Sequence, residues 1–496
     1  MFNIGLVPLD DRPCNTMLIE DIADIANAKI IMPPRSMLGY FTKPANIKKI
    51  TAWLYNNANK FDGLIVSIDM LSYGGLINSR LPNISLDSAK NNLAILKKIK
   101  NKYPKLPIYT SNIIMRLTST VTNDKQLEYW KNLFKYSTLL DSINNNIPKS
   151  KKELLELKEK LPKPLLMDYM KARFRNHEIN KYSLMLLKEG IIDYLLIGQE
   201  DAAVKGLHKN EQRILNEIII KDNLADKTKI LCGADELNLL LLSKLSCNLY
   251  NIYPKFSATF STIKGPNIIS LYEDRTVIEN LQAQISSIGE CFSSSFEKSD
   301  IILLINSPVS KQQDLMFEKK LICQKDYFSI LSILKKYHKH CIIGLADISF
   351  CNGGDLKLFK KIQKSKLYTK INSYAGWNTS ANTLGTVISN TISCFIAKKL
   401  NINTINKQNM LIYKRFLDDI CYQALTRPKI NSFLKKKNVS VWNLGKEYNK
   451  TNKLLNTLFK KTIPSFIAKN TRNINISLPW PRTFEADLDI KLINND

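Results

Sequence analysis

Five times along this chain a short apolar run ends in an acidic side chain. Asn3–Leu9 leads into Asp10 and Asp11, and Phe61–Ile68 into Asp69. Ile192–Ile197 leads into Gln199, Glu200 and Asp201, Lys229–Cys232 into Asp235 and Glu236, and Cys341–Leu345 into Asp347. Runs of this length and composition read as strands buried on both faces. Helical, charged stretches separate them through most of the chain, and that alternation predicts βαβ units and parallel sheets. In an α/β fold of this kind the carboxyl ends of the strands share one side of the sheet. Side chains that do chemistry gather on that side.

A chain of 496 residues exceeds one ordinary core. Residues 1–264 are expected to form a (β/α)-barrel-like catalytic domain with a helical insertion over 124–190. Gly265 and Pro266 mark a boundary. A smaller Rossmann- or flavodoxin-like lobe is expected over 265–400, and a mainly helical region over 401–496.

Composition removes several classes. Hydrophobic residues make up 44% and charged residues 23%, as in soluble enzymes. No apolar run approaches the roughly 20 residues of a membrane span, so no membrane partner is expected. The N-terminus lacks the basic start of a signal peptide. The nine cysteines are odd in number and without CxxC spacing. They read as reduced thiols in a cytoplasm. The net charge of +28 comes from lysines spread along helices. No nucleic-acid module accompanies them, so no specific nucleic-acid binding is expected.

One acid after a strand is as ordinary as a helix cap; the recurrence points to a site. Converging carboxylates suit glycoside hydrolysis, with Glu200 or Asp201 as acid/base and Asp69 or Asp235 as partner. They equally suit Mg²⁺ or Mn²⁺, held by Asp10, Asp69, Asp201 and Asp235. Asp10, Asp11, Arg12, Asn15, Tyr73, Arg80, Arg116, Gln199, Glu236, Asn352, Trp377 and Asn378 are candidates for holding the substrate, arginines by bidentate contacts and aromatics by stacking. Trp480 is a further stacking candidate, with a core role equally open for each aromatic. Gly198 is expected to turn the backbone before Glu200. Asn378 to Asn382 read as a capped helix start or as a polar terminus aimed at a ligand. His208 reads as a surface histidine. No P-loop, GxGxxG, HExxH or GxSxG pattern is present, so no cofactor beyond the alternative metal is expected.

Longer motifs surround these residues: VPLDDRPCN (7–15), DMLSYGGLINSR (69–80), RFRNHEIN (173–180), LIGQEDAAVKG (196–206), GADELN (233–238), YEDRTV (272–277), ADISFCNGGD (346–355), YAGWNTSANTLG (374–385) and LPWPRTFEAD (478–487). In that order they resemble the bacterial family called domain of unknown function 4127, over almost the whole length. The resemblance implies a full-length member and carries no established chemistry. Glu200 departs from the Asp-Asp pair expected of that family.

The residues point to a carbohydrate-active hydrolase, a glycosidase, acting on a small molecule or oligosaccharide. One alternative is a Mg²⁺- or Mn²⁺-dependent hydrolase or transferase on an anionic small molecule. The other is a non-catalytic sugar- or anion-binding protein of two lobes.

Overall fold

The computed structural model describes residues 1–144, 150–317 and 326–493. Fourteen strands fall in these residues. They are β1 (Phe2–Val7), β2 (Ala28–Ile31), β3 (Gly63–Ser67), β4 (Ile108–Ile114), β5 (Tyr194–Gln199), β6 (Thr228–Cys232) and β7 (Phe256–Phe260). Then come β8 (Ile301–Asn306), β9 (Gln313–Asp314), β10 (Ile342–Asp347), β11 (Phe350–Cys351), β12 (Ser373–Ala375), β13 (Thr471–Ser477) and β14 (Asp487–Leu492).

The chain divides into two compact units. The first comprises Met1–Thr16, Lys29–Leu241 and Tyr272–Asp274. Its six-stranded sheet has the order β2-β1-β3-β4-β5-β6. From β1 to β6 every pairing is parallel. Val7, Val66, Ile108, Leu195 and Ile197 belong to one buried core, which is why these strands read as continuous apolar runs. The chain leaves β1 to one side for β2 and returns to the other side for β3. That reversal is a topological switch point, the place where open α/β sheets bind ligands.

The barrel-like closure expected for this part is replaced by an open sheet with β2 and β6 at its edges. The seventh strand, which would have been needed to approach closure, pairs elsewhere: β7 lies beside β8. The helical insertion is present as Asp124–Asn144, Ser150–Lys160 and Lys163–Lys188. It carries a small core of its own that includes Leu133, Leu157, Leu166 and Tyr169.

The second unit comprises Met17–Ala28, Leu242–Leu271 and the chain from Arg275 onward. It therefore starts before Gly265 and includes the helical C-terminal region expected to stand apart. Its sheet has the order β12-β10-β8-β7, all parallel. The helix Ser380–Lys399 is buried along nearly its whole length, and Thr379 and Asn382 cap it reciprocally. Those polar groups of the YAGWNTSANTLG motif are thus engaged in capping. The C-terminal region also holds an antiparallel pair, β13 with β14. Between helices Ile405–Arg415 and Arg427–Lys436 the chain winds as a π-helix, Phe416–Thr426. Such wide turns are rare and have no clear sequence signature.

Candidate functional site

Four candidate acid positions lie at the carboxyl edge of the six-stranded sheet. Asp10 follows β1, Asp69 follows β3, Glu200 and Asp201 follow β5, and Asp235 follows β6. Asp10 and Asp69 flank the switch point. The loops that bear them touch, since a Cβ added to Gly75 would stand 3.5 Å from the Leu9 carbonyl and 3.8 Å from Asp10 Cβ.

Arg12 binds two acids at once. Its Nε donates to Asp10 Oδ2 at 2.9 Å, and its Nη atoms donate to Asp235 at 3.1 and 2.5 Å. Asn15 Nδ2 donates to Asp10 Oδ1 at 2.8 Å and to Asp235 Oδ1 at 3.2 Å. All four residues are buried. Burial raises the Asp235 carboxyl above its ordinary range, and the Arg12 charge opposes that rise. Asp11 is buried beside Arg35, 4.0 Å away.

A second cluster lies at the ends of β4 and β5. Arg80 pairs with Glu200 and also donates to Thr120 Oγ1 at 2.9 Å. Arg116 stands 3.7 Å from Glu200 and pairs directly with Asp201. The loops are further joined by the Glu200 N–H to the Ile114 carbonyl and the Leu117 N–H to the Asp201 carbonyl. Asp201 and Arg116 are the outermost groups, with side chains 26% and 16% exposed. The backbone turns at Asp201, whose φ is 24°. Gly198, expected to make that turn, lies inside β5. Its missing Cβ instead leaves room for the Gly233 carbonyl, which would be 2.5 Å away.

Asp69 is fully buried. Its Oδ2 accepts from Asn112 Nδ2 and from the Ile113 N–H, both at 3.0 Å. Burial pushes its carboxyl up to about 7, the neighbouring Glu200 charge adds to the rise, and the two donors oppose it.

The helix Lys163–Lys188 holds this region together in a way that sequence reasoning missed. Arg173 donates to the carbonyls of Met115 and Arg116 and pairs with Glu211. Arg175 donates to the carbonyls of Ser79, Leu81 and Ile84. Asn176 reaches the Ser79 carbonyl too, and Asn180 reaches Asn112. The RFRNHEIN motif therefore clamps the loops that carry Arg80 and Arg116. Its density of Arg and Asn on an otherwise apolar helix face was the available signal.

Several expected substrate contacts have other employment. Tyr73 is 1% exposed, with the Arg175 guanidinium 4.3 Å from its ring centroid, so it offers no face for stacking. Gln199 is buried, donating to the Glu200 carbonyl and accepting from Gln212. Glu236 is buried and accepts from the Ala234 N–H, closing its own turn. Asn352, Trp377 and Asn378 belong to the second unit. There Asn352 donates to both oxygens of Asp314 at 3.0 Å, and its N–H meets the Asn378 carbonyl. Arg415 lies 5.4 Å from the Trp377 ring centroid. Trp480 is 1% exposed beneath Arg482.

His208 is not a surface residue. It is fully buried, 3.6 Å from Asp274, whose oxygens also take Lys209, Gln212 and the Cys232 thiol. Burial depresses its proton affinity, which suits a neutral ring. The second unit has a buried network of its own. Asp347 accepts from Asn306 at 2.7 Å and from Tyr374 at 3.2 Å. Asp419, at the start of the π-helix, accepts from the Gly376 N–H and pairs with Arg415.

Among the described residues no three His, Cys, Asp or Glu side chains are grouped to hold a metal. Asp10, Asp69, Asp201 and Asp235, the expected ligands for Mg²⁺ or Mn²⁺, are instead each held by nitrogen donors: Arg12, Asn112 with the Ile113 N–H, Arg116, and Arg12 again. No helix among these residues is long and apolar enough to cross a membrane.

Fold and site together define a parallel α/β protein of two units, with a buried carboxylate–guanidinium site at the strand ends of the first. The chain belongs to the family described as protein of unknown function (DUF4127), which it matches over residues 4–489. No curated protein and no solved structure matches it.

Proposed function

We propose that the protein is a hydrolase of small polyhydroxylated substrates, a glycosidase, with its acid–base pair made by Asp69 and Glu200. The observation that carries this reading is the contrast between two neighbouring carboxyl groups. Asp69 is fully buried and raised to about 7, so it exchanges a proton near neutral pH. Glu200 is paired with the Arg80 guanidinium and stands 3.7 Å from that of Arg116. Two acids in opposed environments are the usual assignment of proton donor and charged partner. The donor role thus passes from Glu200 and Asp201 to Asp69. Asp201 and Arg116, being outermost, meet the substrate, and the Arg12 cluster fixes the rim. The eight described cysteines form no disulfide, which supports a reducing, cytoplasmic setting.

The test is a panel of aryl glycosides assayed with the wild type, Asp69→Asn and Glu200→Gln. Turnover by the wild type, lost by orders of magnitude in both variants, is the expected result. Sugar binding by calorimetry without turnover would favour a binding protein and end the hydrolase reading.

A further inference from the structure

Asn112 Nδ2 faces Asp69, and something must fix that end of the amide there, because the two ends of an asparagine amide are alike in shape and opposite in hydrogen bonding. The helix Lys163–Lys188 supplies the constraint. Asn180 Nδ2 donates to Asn112 Oδ1 at 2.7 Å and to the Ile113 carbonyl at 3.1 Å. A backbone carbonyl can only accept, so the nitrogen end of Asn180 has to face it. That nitrogen then requires an oxygen from Asn112, and the Asn112 nitrogen is left to face Asp69 Oδ2. Ser183 Oγ lies 3.2 Å from the same Asn112 oxygen. Asn112, Asn180 and Ser183 are all buried, so no competing solvent contact resets the order.

We propose that Asn180 is a positioning residue: anchored on the Ile113 carbonyl, it orients Asn112 so that an N–H and not an oxygen meets Asp69. The relay runs from a backbone group through two amides to the acid. It gives the RFRNHEIN helix a role in the chemistry of the site beyond holding loops. Its functional meaning rests on the reading of Asp69 as proton carrier, but its geometry does not.

The relay makes the effect of Asn180→Asp specific. A carboxylate at 180 accepts and cannot donate, so Asn112 turns end over end to donate to it. The Asn112 oxygen then confronts Asp69, which is stable there only when protonated. Asn180→Leu removes the donor without adding charge; Asn180→Ala replaces it if the leucine variant does not fold. The readout is the protonated carboxyl band of Asp69, obtained by infrared difference between each protein and its Asp69→Asn counterpart across pH. We expect the midpoint to rise by about one unit or more in Asn180→Asp, a tenfold change in the ionisation equilibrium. A smaller rise is expected in the neutral variant. Wild-type midpoints in both would overturn the proposal. So would a rise confined to Asn180→Asp, since that is the effect of charge alone. Shifted midpoints in a protein that hydrolyses no glycoside would keep the relay and remove the hydrolase reading.

Discussion

Arg12 and Asp235 meet at 2.5 Å although the strands that precede them stand four places apart in the sheet. Strands spaced by about 4.8 Å would put the ends of β1 and β6 roughly 19 Å apart in a flat sheet. The loops after these strands therefore reach towards each other across the intervening strand ends, helped by the twist of the sheet. One guanidinium fastens the result, because it spans Asp10 and Asp235 together.

Replacing Arg12 should accordingly be severe. Arg12→Met leaves Asp10 and Asp235 buried, close together and without their cation. A loss of about 3–5 kcal/mol is expected, read as a fall in the thermal midpoint. Asp235→Asn should cost less, since Arg12 keeps Asp10. Equal midpoints for Arg12→Met and the wild type would show that the pair does not hold the loops.

Asp69 predicts a pH dependence with a definite sign. Its carboxyl is raised from 3.8 to about 7 in the folded protein, so the folded state holds that proton more tightly than the unfolded chain. The stabilisation is present in full below the unfolded value and is lost as pH rises from about 4 to 7. Its size is on the order of 4 kcal/mol. Thermal melts at steps across that window should show the wild type losing stability relative to Asp69→Asn. Parallel curves for the two proteins would contradict the raised carboxyl.

Glu200 and Asp201 are adjacent but should differ. The Glu200 side chain is 8% exposed between two arginines, whereas Asp201 is 26% exposed. Glu200→Gln should cost about 3 kcal/mol, by leaving the buried Arg80 guanidinium without its acid. Asp201→Asn should cost under about 1 kcal/mol, since its pair is partly solvated and asparagine tolerates the positive φ. Thermal midpoints in the opposite order would refute this assignment.

Gly198 supplies a purely steric test. An alanine Cβ there would lie 2.5 Å from the Gly233 carbonyl and 2.5 Å from Leu237 Cδ1. Strand β5 and the turn that carries Asp235 would have to separate. A cost of about 1–3 kcal/mol is expected in denaturant unfolding, together with a weakened Arg12–Asp235 contact. A variant as stable as the wild type would mean the turn yields freely.

Much of the parallel α/β plan was legible because buried parallel strands announce themselves as apolar runs, and because the acids follow them directly. What was not legible depended on partners distant in sequence. Nothing in FSATF says that Phe256–Phe260 pairs with β8 and leaves the first sheet open. Gly198 looked like a turn because its need for space comes from Gly233, a residue of another loop. The carbonyls that Arg173 and Arg175 bind are backbone groups, which every sequence contains and none displays. His208 reads as a surface histidine in the sequence, yet its ring lies 3.6 Å from Asp274, a partner distant along the chain.

The contact between Arg12 and Asp235 also sets an order of events during synthesis. The two residues are 223 positions apart, and polymerisation at 5–20 residues per second separates their appearance by about 10–45 s. Through that interval the amino-terminal loop has Asp10 for company and no second acid to close on. A nascent chain halted before residue 235 would already hold both partners of the contacts made by Arg80, Arg116, Arg173 and Arg175, and the loop after β1 alone would wait for its second acid.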